Sequence, residues 1–265
     1  MLQVSLDLRD EADEFNAFLG TLSEADWSRP TGFMSWTPWD VVAHLHFFDL
    51  VSLVSLEGQE AFDARRKELM GQFSAGIGNA ELARKEFGDL SPDDLRARWI
   101  ETCHDMTAQL GESDEKRRLP WFGPDMGVRM FTTARFMEAW AHAQEVYDLV
   151  GAPRVPTDRI KNVAAIGVKT FGWTFVNRGM EVPGPPPYVR LAAPSGATWE
   201  WNEPSESEFV RGDALDFCHV VTQARNVADT ALEVRGEVAT QWMSIAQCFA
   251  GGPVDPPKPG SRRSN

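Results

Sequence analysis

The chain has 265 residues, 43% hydrophobic and 25% charged, the composition of an ordinary globular protein with room for a main domain and a smaller companion. Its formal net charge of −13, from 39 acidic against 26 basic residues, repels phosphate backbones and anionic lipid heads, so neither nucleic acid nor a membrane is an expected partner. The N-terminus lacks the basic and long apolar regions of a secretory signal, no apolar run approaches the ~20 residues of a span, and Cys103, Cys218 and Cys248 are odd in number and never paired as CxxC, so a reducing, cytoplasmic setting is expected.

In chain order, the apolar spacing is helical from residue 1 to about 180. Phe15, Phe18, Leu19 and Leu22 follow the i, i+3, i+4, i+7 pattern of a first helix. Thr37-Pro38-Trp39-Asp40 opens a second: Thr37 can cap, Pro38 suits the first helical position, and Asp40 completes a T-x-x-D box. Ser91-Pro92-Asp93-Asp94 repeats that device ahead of Leu95, Trp99, Cys103, Met106 and Leu110. A fourth long helix is predicted from about Gly127 to Val150, closed by Gly151 with Pro153 beyond. A further helix after Thr157 carries Ile160, Val163, Val168, Phe171 and Phe175.

The stretch Glu181-Val-Pro-Gly-Pro-Pro-Pro187 reads as a linker. Beyond it the period becomes that of strands at Tyr188–Ala192 and Thr198–Asn202, with further strands at Phe209-Val210 and Leu232–Val234. Helices are expected at roughly 213–223 and 237–250. The stretch after Gly252 has too little apolar material to pack. The expected organisation is therefore α+β: a helical bundle over 1–180, a small α/β domain over 188–251 and a disordered tail over 252–265.

Chemistry concentrates on the fourth long helix. Its inward row, Phe131, Ala134, Glu138, His142, Val146 and Leu149, is interrupted by a carboxylate and an imidazole one turn apart, side chains about 5–6 Å from each other. A buried carboxylate needs something to neutralise it. A Glu–His or Glu–Arg core pair satisfies that need, and so does a metal. The second helix adds His44 and His46, which point in nearly opposite directions from an otherwise apolar segment. Periodicity does not choose between them, but two helices that both turn imidazoles inward favour a metal centre.

Asp40, one turn before His44, is a candidate to orient it, and its capping role explains it equally well. Trp36, Trp39, Trp121 and Trp140 are candidates to wall a pocket or simply to pack. His104 is expected at the edge of its helix. Cys218 and His219 are neighbours in sequence, which does not by itself make a nucleophilic dyad.

The motif Trp36-Thr-Pro-Trp-Asp-Val-Val-Ala-His44-Leu, followed by Glu138-Ala-Trp-Ala-His142-Ala-Gln-Glu-Val-Tyr-Asp, resembles the N-terminal domain of mycothiol-dependent maleylpyruvate isomerases, within the DinB-like superfamily of metal-binding four-helix bundles. The resemblance spans about residues 5–150. It implies His44, Glu138 and His142 as metal ligands, and His46 has no counterpart in the pattern. The later segments Ala228–Gly236 and Ala239–Gly251 are similar to an actinobacterial branch of the group and to the wyosine-base-formation region of tRNA-modifying enzymes. A tRNA role is set aside, because the chain has no Cys-x3-Cys-x2-Cys triplet for an iron–sulfur cluster and carries the wrong charge.

Two imidazoles and one carboxylate leave coordination positions open, as catalytic zinc sites do. The resemblance implies a divalent metal, with zinc expected, and mycothiol or a similar thiol as cofactor. The expected function is metal- and thiol-dependent isomerisation of, or S-transfer to, a small electrophile. The catalytic residues and the thiol-binding residues are left unassigned. The alternative is a non-enzymatic metal-binding regulator or ligand carrier, since a fold does not fix a function. A small-molecule thiol and an electrophilic substrate are the implied partners, and a homodimer is compatible with the sequence.

Overall fold

The structure, a computed structural model, is described over residues 1–262. It divides into two compact units, Met1–Val150 and Gly151–Asn265.

The first unit contains α1 (Gln3–Leu19), α2 (Pro38–Glu57), α3 (Gln59–Ser74), α4 (Asn79–Phe87), α5 (Pro92–Glu112), a two-stranded antiparallel hairpin of β1 (Arg118–Leu119) and β2 (Met126–Gly127), and α6 (Val128–Val150). Helices α1, α2, α5 and α6 pack on one another as a four-helix bundle. The start of α2 is set by the predicted capping box: Asp40 N–H donates to Thr37 Oγ1 (3.2 Å), and the Asp40 carboxylate accepts from the Thr37 N–H (2.9 Å). Ser91 caps α5 through its Oγ, which accepts from the Asp94 N–H (3.2 Å), with Pro92 at the first helical position. Between α1 and α5, Phe15 meets Trp99 edge-on at 5.6 Å.

Helix α2 is the most enclosed of these elements, packed by α5 and α6 within the bundle and by α3 and α4 outside it. It is buried on nearly every side, so its sequence shows no polar face. It is also the one helix among the described residues that is long and apolar enough to cross a membrane by length and composition, and most of it lies inside the protein. The expectation that no apolar run reaches spanning length is corrected to that extent: the run is the core helix of the bundle.

The second unit carries α7 (Lys161–Lys169), α8 (Phe171–Val176), β3 (Tyr188–Ala192), β4 (Thr198–Trp201), β5 (Phe209–Asp213), α9 (Ala214–Val221), β6 (Glu233–Arg235) and α10 (Glu237–Ile245). The four-strand sheet has the order β4-β3-β5-β6, with β3 and β5 parallel and the outer pairs antiparallel. Helix α7 packs on α9, where a side chain at Gly167 would meet Val221 at 2.8 Å, closer than a Cβ tolerates.

The boundary therefore falls at Gly151 rather than at 180. Phe171 packs edge-on against Trp242 at 5.3 Å, and Phe217 joins the same indole at 5.8 Å. Helices α7 and α8 thus bury their apolar faces within the second unit, and the proline-rich stretch is a loop inside it. Residues 252–260, expected to be disordered, are fastened by hydrogen bonds. Gln223 Nε2 donates to the Val254 carbonyl (2.8 Å), Val254 N–H to Gln247 Oε1 (3.0 Å), Asn226 Nδ2 to the Pro257 carbonyl (2.8 Å), and Gly260 N–H to the Asp229 carboxylate (2.8 Å). Polar side chains, not apolar burial, hold this segment. The last three residues of the predicted tail lie outside the described residues.

Candidate metal centre

His44 sits in the second turn of α2, and Glu138 and His142 occupy one face of α6 a turn apart. The packing of α2 on α6 brings them together. His44 Nε2 lies 3.5 Å from Glu138 Oε2, and His142 Nε2 lies 3.4 Å from the same oxygen. The imidazole centroids are 4.7 Å apart. Among the described residues this is the one set of three potential ligands whose donor atoms all fall within 4.8 Å of one another. Zinc–ligand bonds of about 2.0–2.2 Å in a tetrahedron separate donors by roughly 3.4 Å, which is the spacing of each imidazole from the carboxylate.

Two further observations fit a cation. Both ring nitrogens of His44 are buried without a hydrogen-bond partner among the described residues; the 3.5 Å approach to Glu138 is too long to count as one. A buried imidazole left this way is costly unless it binds something. Burial and the neighbouring positive charges push His44 down to about 4, so near neutral pH it presents the uncharged imidazole that ligation requires. Burial opposes ionisation of Glu138, yet His142 and His44 outweigh it and hold its carboxyl well below the usual carboxylate range. The His44 and His142 side chains are 6% and 10% exposed against 25% for Glu138, so access is from the carboxylate side.

Aromatic rings complete the surroundings. Trp36 lies 4.9 Å from His44 and stacks on His142 at 5.5 Å with 16° between planes. Phe33 meets His142 edge-on at 5.2 Å, and Phe48 stands 4.9 Å from His44. Trp121 is one ring further out, 6.3 Å from Phe48. Trp39 donates its indole N–H to the Leu90 carbonyl (3.2 Å), and Trp140 is buried in the bundle.

The other candidates separate cleanly. His46 turns away from the centre and stacks on Phe87 of α4 at 4.6 Å. Asp40 is occupied by its capping box and by Arg84, whose Nε and Nη2 donate to its two oxygens at 2.6 and 2.7 Å, so it does not orient His44. His104 pairs with Asp13 at 2.7 Å on the edge of the bundle. Cys218 is buried with its Sγ 3.5 Å from the Ile160 carbonyl, and burial pushes its thiol well up, which suits packing rather than nucleophilic attack.

Sequence reasoning missed Phe33, Phe48 and a buried ion pair beside the site. Arg135 Nε and Nη2 donate to Asp49 Oδ1 at 3.2 and 2.8 Å, and Trp99 Nε1 donates to Asp49 Oδ2 at 3.1 Å. Arg135 lies one turn before Glu138 on α6, and Asp49 follows His44 on α2, so the pair ties together the two helices that carry His44, Glu138 and His142. The available signal was an Asp and an Arg on otherwise inward-facing rows.

The sequence pattern described for mycothiol maleylpyruvate isomerase N-terminal domains matches residues 8–147. The chain belongs to this family. Uncharacterised proteins from two strains of Mycobacterium tuberculosis, CDC 1551 / Oshkosh and H37Rv, are each 36% identical to it over 248 residues, covering 93% of this chain and 95% of theirs. Among solved structures, the mycothiol-dependent maleylpyruvate isomerase superposes with a TM-score of 0.52 at 13% identity, over 82% of this chain and 87% of that one. A histidine-to-alanine mutant of that enzyme gives the same TM-score at 14% identity. These structural likenesses establish that the chain has the maleylpyruvate isomerase fold: a helical bundle of this family with a small sheet-containing C-terminal unit.

Proposed function

We propose that this protein is a metal-dependent enzyme that uses a low-molecular-weight thiol, of the mycothiol kind, to isomerise a small electrophile or that transfers the thiol to one through its sulfur. The observation that carries the reading is the convergence of His44, Glu138 and His142 on one point, with His44 buried and without a hydrogen-bond partner among the described residues. Three donors of this kind leave positions open on a divalent ion, and two nitrogens with one oxygen is a donor set that catalytic zinc uses. When bound, such an ion supplies the charge that lowers the pKa of a coordinated thiol toward neutrality.

The chain's own residues then have defined tasks. His44 and His142 hold the ion as neutral ligands. Glu138 would hold the ion as the carboxylate, the form that ligation requires, so it contributes negative charge and does not donate a proton near neutral pH. Phe33, Trp36 and Phe48 exclude water from the histidine side, leaving the quarter-exposed Glu138 side for the thiol and substrate to enter. The family membership and the maleylpyruvate isomerase fold support isomerisation of a cis-configured conjugated acid as the reaction to test first.

The test incubates zinc-loaded protein with mycothiol and a panel of conjugated electrophiles headed by maleylpyruvate, following cis-to-trans conversion by proton NMR and thiol adducts by mass spectrometry. Turnover that requires both thiol and metal, and that disappears in His44→Ala, is expected. Full metal occupancy without thiol-dependent turnover across the panel would contradict the enzymatic reading and leave a metal-binding regulator or carrier.

A further inference from the structure

We infer that Trp36, together with Phe33 and Phe48, is the positioning shell of the metal centre: an aromatic box that holds the His44 and His142 rings in ligating orientation. The inference rests on the reading of His44, Glu138 and His142 as ligands and names the residues that set their geometry.

A metal-bound histidine ordinarily donates its second ring N–H to a carboxylate, a carbonyl or a water, and that bond fixes the rotation of the ring. His44 has no such partner among the described residues, where both its nitrogens are buried and unbonded. The carboxylate one turn away, Asp40, is committed to Thr37 and Arg84. Ring contacts replace the missing bond. Trp36 and Phe48 each stand 4.9 Å from the His44 ring. The same indole stacks on His142, whose ring Phe33 meets edge-on. Trp36 therefore touches both imidazole ligands, and Phe33 braces Trp36 in turn at 5.2 Å with the rings perpendicular.

The backbone points the same way. Trp36 arrives on a reversal, not on a helix: Thr31 N–H donates to the Trp36 carbonyl (2.7 Å), and Trp36 N–H donates to the Phe33 carbonyl (2.9 Å). Within it, Met34 and Ser35 both take left-handed conformations, with φ of 49° and 57°. Consecutive non-glycine residues adopt that region only where the surroundings over-determine it. Met34 is 73% exposed, so its own side chain does not account for the strain. The residues flanking the pair, Phe33 and Trp36, are the ones driven against the ligands.

Cobalt(II) titration of the full chain, read by visible d–d absorption, tests the assignment alongside Trp36→Phe, Trp36→Leu and Phe33→Leu. Wild type should bind one cobalt per chain. Trp36→Phe, which keeps a stacking ring, should stay within about threefold of that affinity and keep the spectrum. Trp36→Leu should lose about 10- to 100-fold in affinity and shift the bands, while its metal-free form still unfolds cooperatively on heating. Where Trp36→Leu does not fold, Phe33→Leu decides, with the same band shift expected. A folded Trp36→Leu or Phe33→Leu with wild-type affinity and spectrum overturns the inference and leaves the ligand assignment standing. A wild type that binds no cobalt overturns the ligand assignment, and the inference with it.

Discussion

Replacing Asp49 by Asn should destabilise the first unit far more than removing Asp49 and Arg135 together. The two side chains are 4% and 5% exposed and meet through two hydrogen bonds, the shorter at 2.8 Å. Burial pushes the Asp49 carboxyl up despite the guanidinium beside it, the sign of a pair whose desolvation outweighs its attraction. Asp49→Asn keeps the shape but leaves the Arg135 cation buried and uncompensated, which costs about 3–5 kcal/mol. At roughly 2–4 °C per kcal/mol for a unit of this size, the melting temperature should fall by about 10 °C. Asp49→Leu combined with Arg135→Met fills similar volume without charge and should recover most of that loss, ending about 1–3 kcal/mol below wild type because the buried Trp99 N–H loses its acceptor. Urea unfolding of the metal-free protein, followed by tryptophan fluorescence, measures all three proteins. A single variant no less stable than the double one would refute the reasoning, because the pair would then not be a desolvated ion pair.

Acid should unfold the metal-free protein partly through His46, which burial and Arg98 push from 6.5 to about 4. The unfolded chain takes up that proton first, so the stability present above pH 6.5 is lost as pH falls toward 4, by about 3 kcal/mol at most at 1.36 kcal/mol per pH unit. His46→Leu should flatten that slope in urea titrations from pH 7.5 to 4.5, and an unchanged slope would count against the assignment. All three cysteines are buried, and burial pushes the Cys103 and Cys218 thiols well up, so a thiol-reactive chromophore should label native protein at none of them and urea-unfolded protein at all three. Ending the chain at Gly251 should cost the second unit about 1–3 kcal/mol, because buried Gln247 loses the donor at Val254 and Gln223 loses an acceptor; a truncated chain with the full-length thermal midpoint would show the strap to be passive.

The bundle was legible where local chemistry announces structure. Thr37-Pro38 and Ser91-Pro92 start helices because a hydroxyl cap and a proline at the first position suit the unsatisfied N–H groups there. Helices α3 and α4 were not read, because their few buried residues, Phe62, Leu69, Leu82, Ala83 and Phe87, give too sparse an apolar row within polar helix formers. Glu138 and His142 stood out as an interruption one turn apart in an inward row. Choosing His44 over His46 was beyond periodicity, since α2 is enclosed by neighbours on all sides; the family resemblance chose, and the structure places the two rings apart. Arg135 and Asp49 are 86 residues apart, and their pairing follows only from helix packing. The second unit begins at Gly151 because Phe171 finds its partner Trp242 later in the chain, where α8 packs on α10, a tertiary fact that the proline-rich loop disguised.

Metal content by mass spectrometry on tag-free protein, comparing wild type with His44→Ala, His142→Ala and His46→Ala, tests the central claim most directly. The account predicts about one divalent ion per chain, lost with His44 or His142 and kept without His46. A wild type that stays folded yet takes up no zinc, cobalt, manganese, nickel or iron on reconstitution would contradict it, leaving Glu138, His44 and His142 as a polar cluster in the bundle core.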